Sequence, residues 1–188
     1  MGREDFEIIR SNRRTISLEI TPAGQVLVRA PRHMSETEIR AFVESKSSWL
    51  QKHLQKQEED RDSLQTEGLF TEQEIERLLK LAKQVIPEKV AYYARLMGVT
   101  YGRISIRKQK TRWGSCSREG NLNFNCLLMM APPEVLDYVV VHELCHRLEM
   151  NHSERFWTLV EKVMPDYRVS REWLKEHGGK LMMRMHGE

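Results

Sequence analysis

The stretch with the plainest chemical content in this 188-residue chain is His142-Glu143-Leu144-Cys145-His146. The apolar run before it, VLDYVVV, predicts a helix, and on a helix positions i and i+4 differ by only about 40° of rotation. Both imidazoles then point the same way and can grip one metal ion. Glu143 lies about 100° from His142, near enough to meet a water at that ion without ligating it. This is the arrangement that zinc-dependent hydrolysis needs. The metal lowers the pKa of its bound water towards about 7, and the glutamate takes the proton as attack begins. Burial of such a helix would leave two histidines needing polar partners, which a metal supplies.

Catalytic zinc commonly has three protein ligands. His152 lies six residues beyond His146, far enough for the chain to end its helix, turn and return a ring to the ion. Ser153 can cap the helix that follows. A carboxylate from that next helix, Glu154 or Glu161, is the rival third ligand. Tyr138, one turn before His142, is a candidate donor to a developing oxyanion, as are Tyr167 and His177. Cys116 and Cys126 lack the CxxC spacing of a second metal site, so they and Cys145 read as packing thiols.

Trp113-Gly114-Ser115-Cys116 reads either as a substrate-binding edge beside the metal helix or as a core anchor followed by a bulge. Around it, residues 101–118 carry Arg103, Arg107, Lys108, Lys110, Arg112 and Arg118 with no acid. That strip is either a solvated strand face alternating with Ile104 and Ile106 or ground for an acidic or phosphate-bearing ligand. The whole chain is only mildly basic, +3 from 30 Lys+Arg and 27 Asp+Glu, so net charge alone does not argue for nucleic acid. Hydrophobic residues make up 40% and charged residues 30%, which excludes disordered and fibrous classes. The three cysteines, an odd number, read as reduced thiols of a cytoplasmic protein. MGREDFEIIR has no apolar continuation of a secretory signal, and no run approaches 18 apolar residues, so no membrane association is expected.

Several elements must position these groups. Residues 5–30 read as short strands, FEIIR, TISLEI and QVLVRA, in an antiparallel hairpin or meander, with Pro22 and Gly24 as punctuation. Ser35 and Glu38 form a capping-box pattern that opens a helix to about residue 57. EEDRDSLQTE, residues 58–67, reads as a polar linker. Thr71 and Glu74 open a second helix over about 72–97, with Pro87 as a kink or break and Gly98 as its stop. RISIRKQ and NLNFNCLLMM read as a hairpin, and helices follow over about 133–149, 153–163 and 170–184. The implied organisation is residues 1–57, a linker over 58–70, and a domain over 71–188, with no internal repeat visible.

Arg112-Trp113-Gly114-Ser115-Cys116, Asn121 to Asn125, HELCH, Asn151-His152-Ser153 and Phe156-Trp157 together resemble the YgjP-like metallopeptidase family. That family is similar in pattern to the SprT-like and WLM zincins. RRTISLEITPAGQVLVRAP resembles the family's opening strands, whereas residues 58–70 are too short for the strand material that longer members carry there. The resemblance implies an α+β, zincin-like domain with the HExxH helix beside a β-hairpin or sheet, plus an N-terminal β-rich section and helix. It implies His142, His146 and His152 as Zn2+ ligands and Glu143 as catalytic acid/base, acting on a peptide or protein substrate. Two other readings keep the metal. One is a phosphoanhydride or nucleotide hydrolase using the basic strip; the other is a non-catalytic, zinc-stapled nucleic-acid- or protein-binding module.

Overall fold

The computed structural model describes residues 6–21 and 23–186. Asp5 and Pro22, read above as strand start and turn, lie outside the described residues. Contacts divide the chain into two compact units, one ending at Thr66 and the other beginning at Glu67.

In the N-terminal unit the expected strands form as β1 (Phe6–Ser11), β2 (Ser17–Ile20) and β3 (Val26–Pro31). They do not form a meander. β3 lies in the middle, parallel to β1 and antiparallel to β2. It is the strand with Val28 and Ala30 fully buried, so the central position suits it, while β1 and β2 keep exposed edge residues such as Arg10 and Glu19. Arg13, in the crossing segment, donates to Ser17 Oγ (2.9 Å) and to the Arg29 carbonyl (3.2 Å).

The helix expected to run to residue 57 is two helices. α1 (Glu36–Glu44) opens on the Ser35–Glu38 capping box and stops at Ser45. α2 (Ser47–Glu67) then runs straight through the segment read as a linker. That segment contains no glycine or proline and is rich in helix formers. Gln55–Glu59 (3.0 Å) and Lys56–Asp60 (3.3 Å) add i,i+4 pairs along the helix. Its polarity marks a solvated helix rather than a loose connection. Val28, Ala30, Ile39, Val43 and Leu50 form this unit's core.

The C-terminal unit begins with α3 (Glu72–Met97), opened by the Thr71–Glu74 capping box and closed by Gly98 at φ 67°. It is continuous across Pro87, with no break. Proline inside a helix costs about 3 kcal/mol. The buried stripe Leu78, Ala82, Ile86, Val90 and Ala94 packs on both sides of it and holds the helix together. No helix among the described residues is long and apolar enough to cross a membrane.

β4 (Ile104–Arg107), β5 (Gly114–Cys116) and β6 (Leu122–Asn125) form the second sheet. The expected hairpin of β4 with β6 is instead a parallel pair, and β5 is the antiparallel partner of β6. The cause is again burial: Leu122, Phe124 and Asn125 are fully buried, so β6 occupies the centre. Residues 126–130, expected to extend that strand, form a short 3-10 helix (Cys126–Met130) capped by the Asn125 side chain.

Both sheets therefore have the same plan, third strand central, and they share a turn as well. Thr21 N–H donates to the Gln25 carbonyl, Gly24 N–H to the Thr21 carbonyl, and Gln25 N–H to Thr21 Oγ1. Ser117, Gly120 and Asn121 repeat all three bonds, and Gly24 and Gly120 sit at φ 83° and 85°. A structural repeat thus exists that the sequence does not display. Three helices complete the unit: α4 (Pro133–Cys145), α5 (Glu154–Val163) and α6 (Tyr167–His186).

Candidate metal centre

α4 is apolar nearly all round, with Val139, Val140, Val141, Leu144 and Cys145 at most 3% exposed. It carries His142, Glu143 and His146 through the core of the C-terminal unit. The helix ends at Cys145, four residues earlier than expected, with His146 as its C-cap. Arg147 and Leu148 N–H groups fold back onto the Leu144 and Cys145 carbonyls. That early end is what lets residues 147–151 turn and return His152 to the site. Ser153 then caps α5, its Oγ accepting from Phe156 N–H (3.4 Å).

The ligand-capable atoms of His142, His146 and His152 all lie within 4.8 Å of one another. Nε2 of His142 and Nε2 of His152 are 2.9 Å apart. His146 Nδ1 donates to the Glu149 carbonyl (3.1 Å), which leaves the lone pair of that ring on Nε2. His142 Nδ1 is buried without a hydrogen-bond partner, so only the Nε2 side of its ring meets polar groups. Phe156, fully buried, wedges the three rings, its centroid 4.8, 4.6 and 4.8 Å from those of His142, His146 and His152. Trp157 also stacks on His152 (5.8 Å).

Burial, then the neighbouring histidines, pushes the His142 imidazolium down to about 3. Burial also lowers His146. Both rings are therefore neutral at ordinary pH, the form in which imidazole ligates a metal. The donor set fits a zinc site of three nitrogens. Glu143, 5% exposed, is pushed up to about 8 by burial, with the charge of Arg112 opposing.

The site opens into a cleft of about 280 Å³ lined by the three histidines, Glu143, Met150, Arg112 and the strand Gly114–Ser115–Cys116. A larger cleft of about 610 Å³ in the N-terminal unit is lined mainly by Phe6, Val26, Val43, Leu50 and Leu54 and holds Glu7 as its one acid. In the metal cleft Gly114 is not a bulge. It pairs with Phe124, and a Cβ there would lie 2.6 Å from Glu143 Oε1. Trp113 packs on the core and on Gly178, as the core-anchor reading has it, while Gly114, Ser115 and Cys116 line the cleft.

The rival ligands lie elsewhere. Glu161 pairs with Arg168 (2.6 Å), and Glu154 is exposed in the first turn of α5. Neither belongs to the cluster of ligating groups found among the described residues. Tyr138 and Tyr167 stack on each other (6.2 Å) behind His142 and do not line the cleft, and His177 packs on Trp173. Cys116, Cys126 and Cys145 are all free, and Cys126 and Cys145 are buried. Three features escaped the sequence reading: the clearance at Gly114, the wedge of Phe156, and Asn125, whose side chain holds the loop before β5.

A family model described as YgjP-like, metallopeptidase domain, matches residues 14–76 and 66–177. Among solved structures, the metallopeptidase zymogen abylysin of Pyrococcus abyssi is 23% identical with a TM-score of 0.44. It covers 48% of this chain and 94% of its own. The metallopeptidase zymogen jannalysin of Methanocaldococcus jannaschii is 22% identical with a TM-score of 0.42, covering 49% of this chain and 93% of its own. No curated protein matches.

Proposed function

The chain belongs to the YgjP-like metallopeptidase family, and we propose that it hydrolyses peptide bonds with zinc held by His142, His146 and His152 and with Glu143 as general acid/base. The observation that carries this reading is the convergence of three imidazoles within 4.8 Å beside a buried carboxylate in an open cleft. Zinc bound there supplies Lewis acidity, lowering the pKa of a water in the cleft and polarising the scissile carbonyl. Glu143 takes the proton from the attacking water and returns it to the leaving amine. Gly114 leaves that carboxylate the room to move between the two partners. β5 is an edge strand of its sheet and lines the cleft, which supports an extended peptide as substrate. Three free cysteines favour a reducing, cytoplasmic setting for the reaction.

The test is metal analysis of protein purified without chelator, with hydrolysis of an unstructured protein as the second readout. About one zinc per chain is expected, falling sharply in His152→Ala. Glu143→Gln is expected to keep its zinc and lose at least about a hundredfold in kcat. A parent protein that neither contains nor takes up zinc overturns the reading. So does full activity in Glu143→Gln. Zinc retained by His152→Ala would move the third ligand to Glu154 or Glu161.

A further inference from the structure

Among the residues lining the metal cleft, Arg112 is the one cation with a permanent charge. Its guanidinium donates no hydrogen bond to any described residue, although its charge is felt by Glu143. A free arginine side chain on a loose loop would mean little, but the backbone here is anchored on both sides. Asn125, fully buried, donates from Nδ2 to the carbonyls of Gln109 (2.8 Å) and Arg112 (3.1 Å), and its N–H donates to the Trp113 carbonyl (2.9 Å). Trp113 is in turn seated against Gly178, where a Cβ would come within 3.1 Å of the indole. His186 Nε2 adds a contact to the Gln109 carbonyl (3.3 Å). The fold thus fixes the root of Arg112 and leaves its fork exposed to the cleft.

With this reading of the site as a zinc peptidase as its premise, we infer that Arg112 is the specificity-determining residue of the cleft and pairs with a carboxylate of the substrate close to the scissile bond. A planar guanidinium with unused donors matches a carboxylate in a two-pronged contact, and Glu143, the one acid among the lining residues, makes no hydrogen bond or ion pair with it. The carboxylate is supplied by an acidic side chain or by the end of the substrate chain. Arg112 alone of the basic strip does this, because Arg103, Arg107, Lys108, Lys110 and Arg118 do not line the cleft.

The experiment compares zinc-loaded parent, Arg112→Met, Arg112→Lys and Lys108→Met on matched peptides carrying Glu or Gln beside the cleaved bond. Each peptide is offered with a free and with an amidated C-terminus. The expected result is roughly a tenfold preference in kcat/KM, in the parent, for the peptide bearing the partner carboxylate over its neutral match, Glu over Gln or free over amidated end. Lys108→Met keeps it, Arg112→Lys keeps part of it, and Arg112→Met reduces the ratio to about one. Binding of the same peptides to Glu143→Gln, followed by fluorescence anisotropy, is expected to rank them identically. A preference for Glu over Gln that survives amidation identifies the side chain as the partner; a preference for the free over the amidated end, with Glu and Gln cleaved alike, identifies the chain end. Equal cleavage of all four peptides by the parent, or an unchanged preference in Arg112→Met, overturns the assignment while leaving the peptidase reading intact. Zinc-loaded parent that cleaves none of the peptides overturns the peptidase reading and this assignment with it.

Discussion

The two three-stranded sheets are built to one plan and put to different ends. In each, the third strand is central, parallel to the first and antiparallel to the second, and a five-residue turn with a left-handed glycine leads into it. With the turns superposed, Leu18 falls on Gly114, Glu19 on Ser115 and Arg29 on Asn125. In the N-terminal sheet Leu18 pairs with Val28; in the C-terminal sheet Gly114 pairs with Phe124, and the space a side chain would fill belongs to Glu143. At the end of the central strand, the exposed Arg29 pairs with Glu19 across the surface, whereas the buried Asn125 organises the loop that carries Arg112. Topology is thus indifferent to chemistry here. A missing side chain and an exchanged one distinguish the sheet that only packs from the one that walls the candidate metal cleft.

The comparison is broken most severely at Gly114. Gly114→Ala is expected to retain zinc but lose at least about a hundredfold in peptide hydrolysis, because the new methyl displaces Glu143. Zinc content together with kcat/KM checks it, and near-parental activity would show that the missing side chain has no chemical purpose. The next effect is on stability. Asn125→Leu strands two carbonyls and the Leu127 N–H, at an expected cost of about 3 kcal/mol in urea unfolding. Arg29→Leu at the matching place is expected to change stability by no more than about 0.5 kcal/mol.

The shared turn allows a finer test. Gly24→Ala meets nothing closer than 3.9 Å and pays only the left-handed backbone strain, about 1 kcal/mol. Gly120→Ala bears that strain and also strikes the Arg147 guanidinium, 2.7 Å away, so it is expected to be the more destabilising of the two. The smallest expected difference is with pH. Tyr93, Tyr138 and Cys145 are each pushed up to about 12, chiefly by burial, and all lie in the C-terminal unit. Their neutral forms are favoured in the folded state, so this stabilisation is complete below about pH 9 and declines as pH rises towards 12. The N-terminal unit contains neither tyrosine nor cysteine before Glu67. Raising pH from 8 to 9.5 is therefore expected to lower the unfolding transition of the C-terminal unit alone. In a Trp49→Phe variant the fluorescence of Trp113, Trp157 and Trp173 reports on the C-terminal unit alone, and circular dichroism beside it reports on both.

What could be read from sequence followed from local rules. The capping boxes at Ser35 and Thr71, the stop at Gly98 and the cap at Ser153 depend on residues within a turn of one another, and they are where the spacing placed them. The HExxH register is equally local, so two of the three converging histidines follow from it directly. Strand order depends on which strand buries most, a property of the whole unit, and the parallel pairings escaped for that reason. Residues 58–67 are polar without being a linker: their helix propensity, equally a local property, carries α2 through them. The clearance at Gly114 and the position of Arg112 come from contacts across 29 and 13 residues of sequence, to Glu143 and Asn125, which no periodicity announces.

Phe156 touches all three histidine rings from the first turn of α5, so the packing of that helix and the geometry of the ligands are one equilibrium. Anything that binds the rings only when they converge raises the stability of the helix by mass action, about 2.7 kcal/mol at a ligand concentration one hundred times its Kd. Free metal in the surroundings then becomes a determinant of how long the molecule lasts as well as of how fast it works. Chelation is expected to open the 147–152 turn to limited proteolysis before the rest of the unit yields, and restoring zinc is expected to close it.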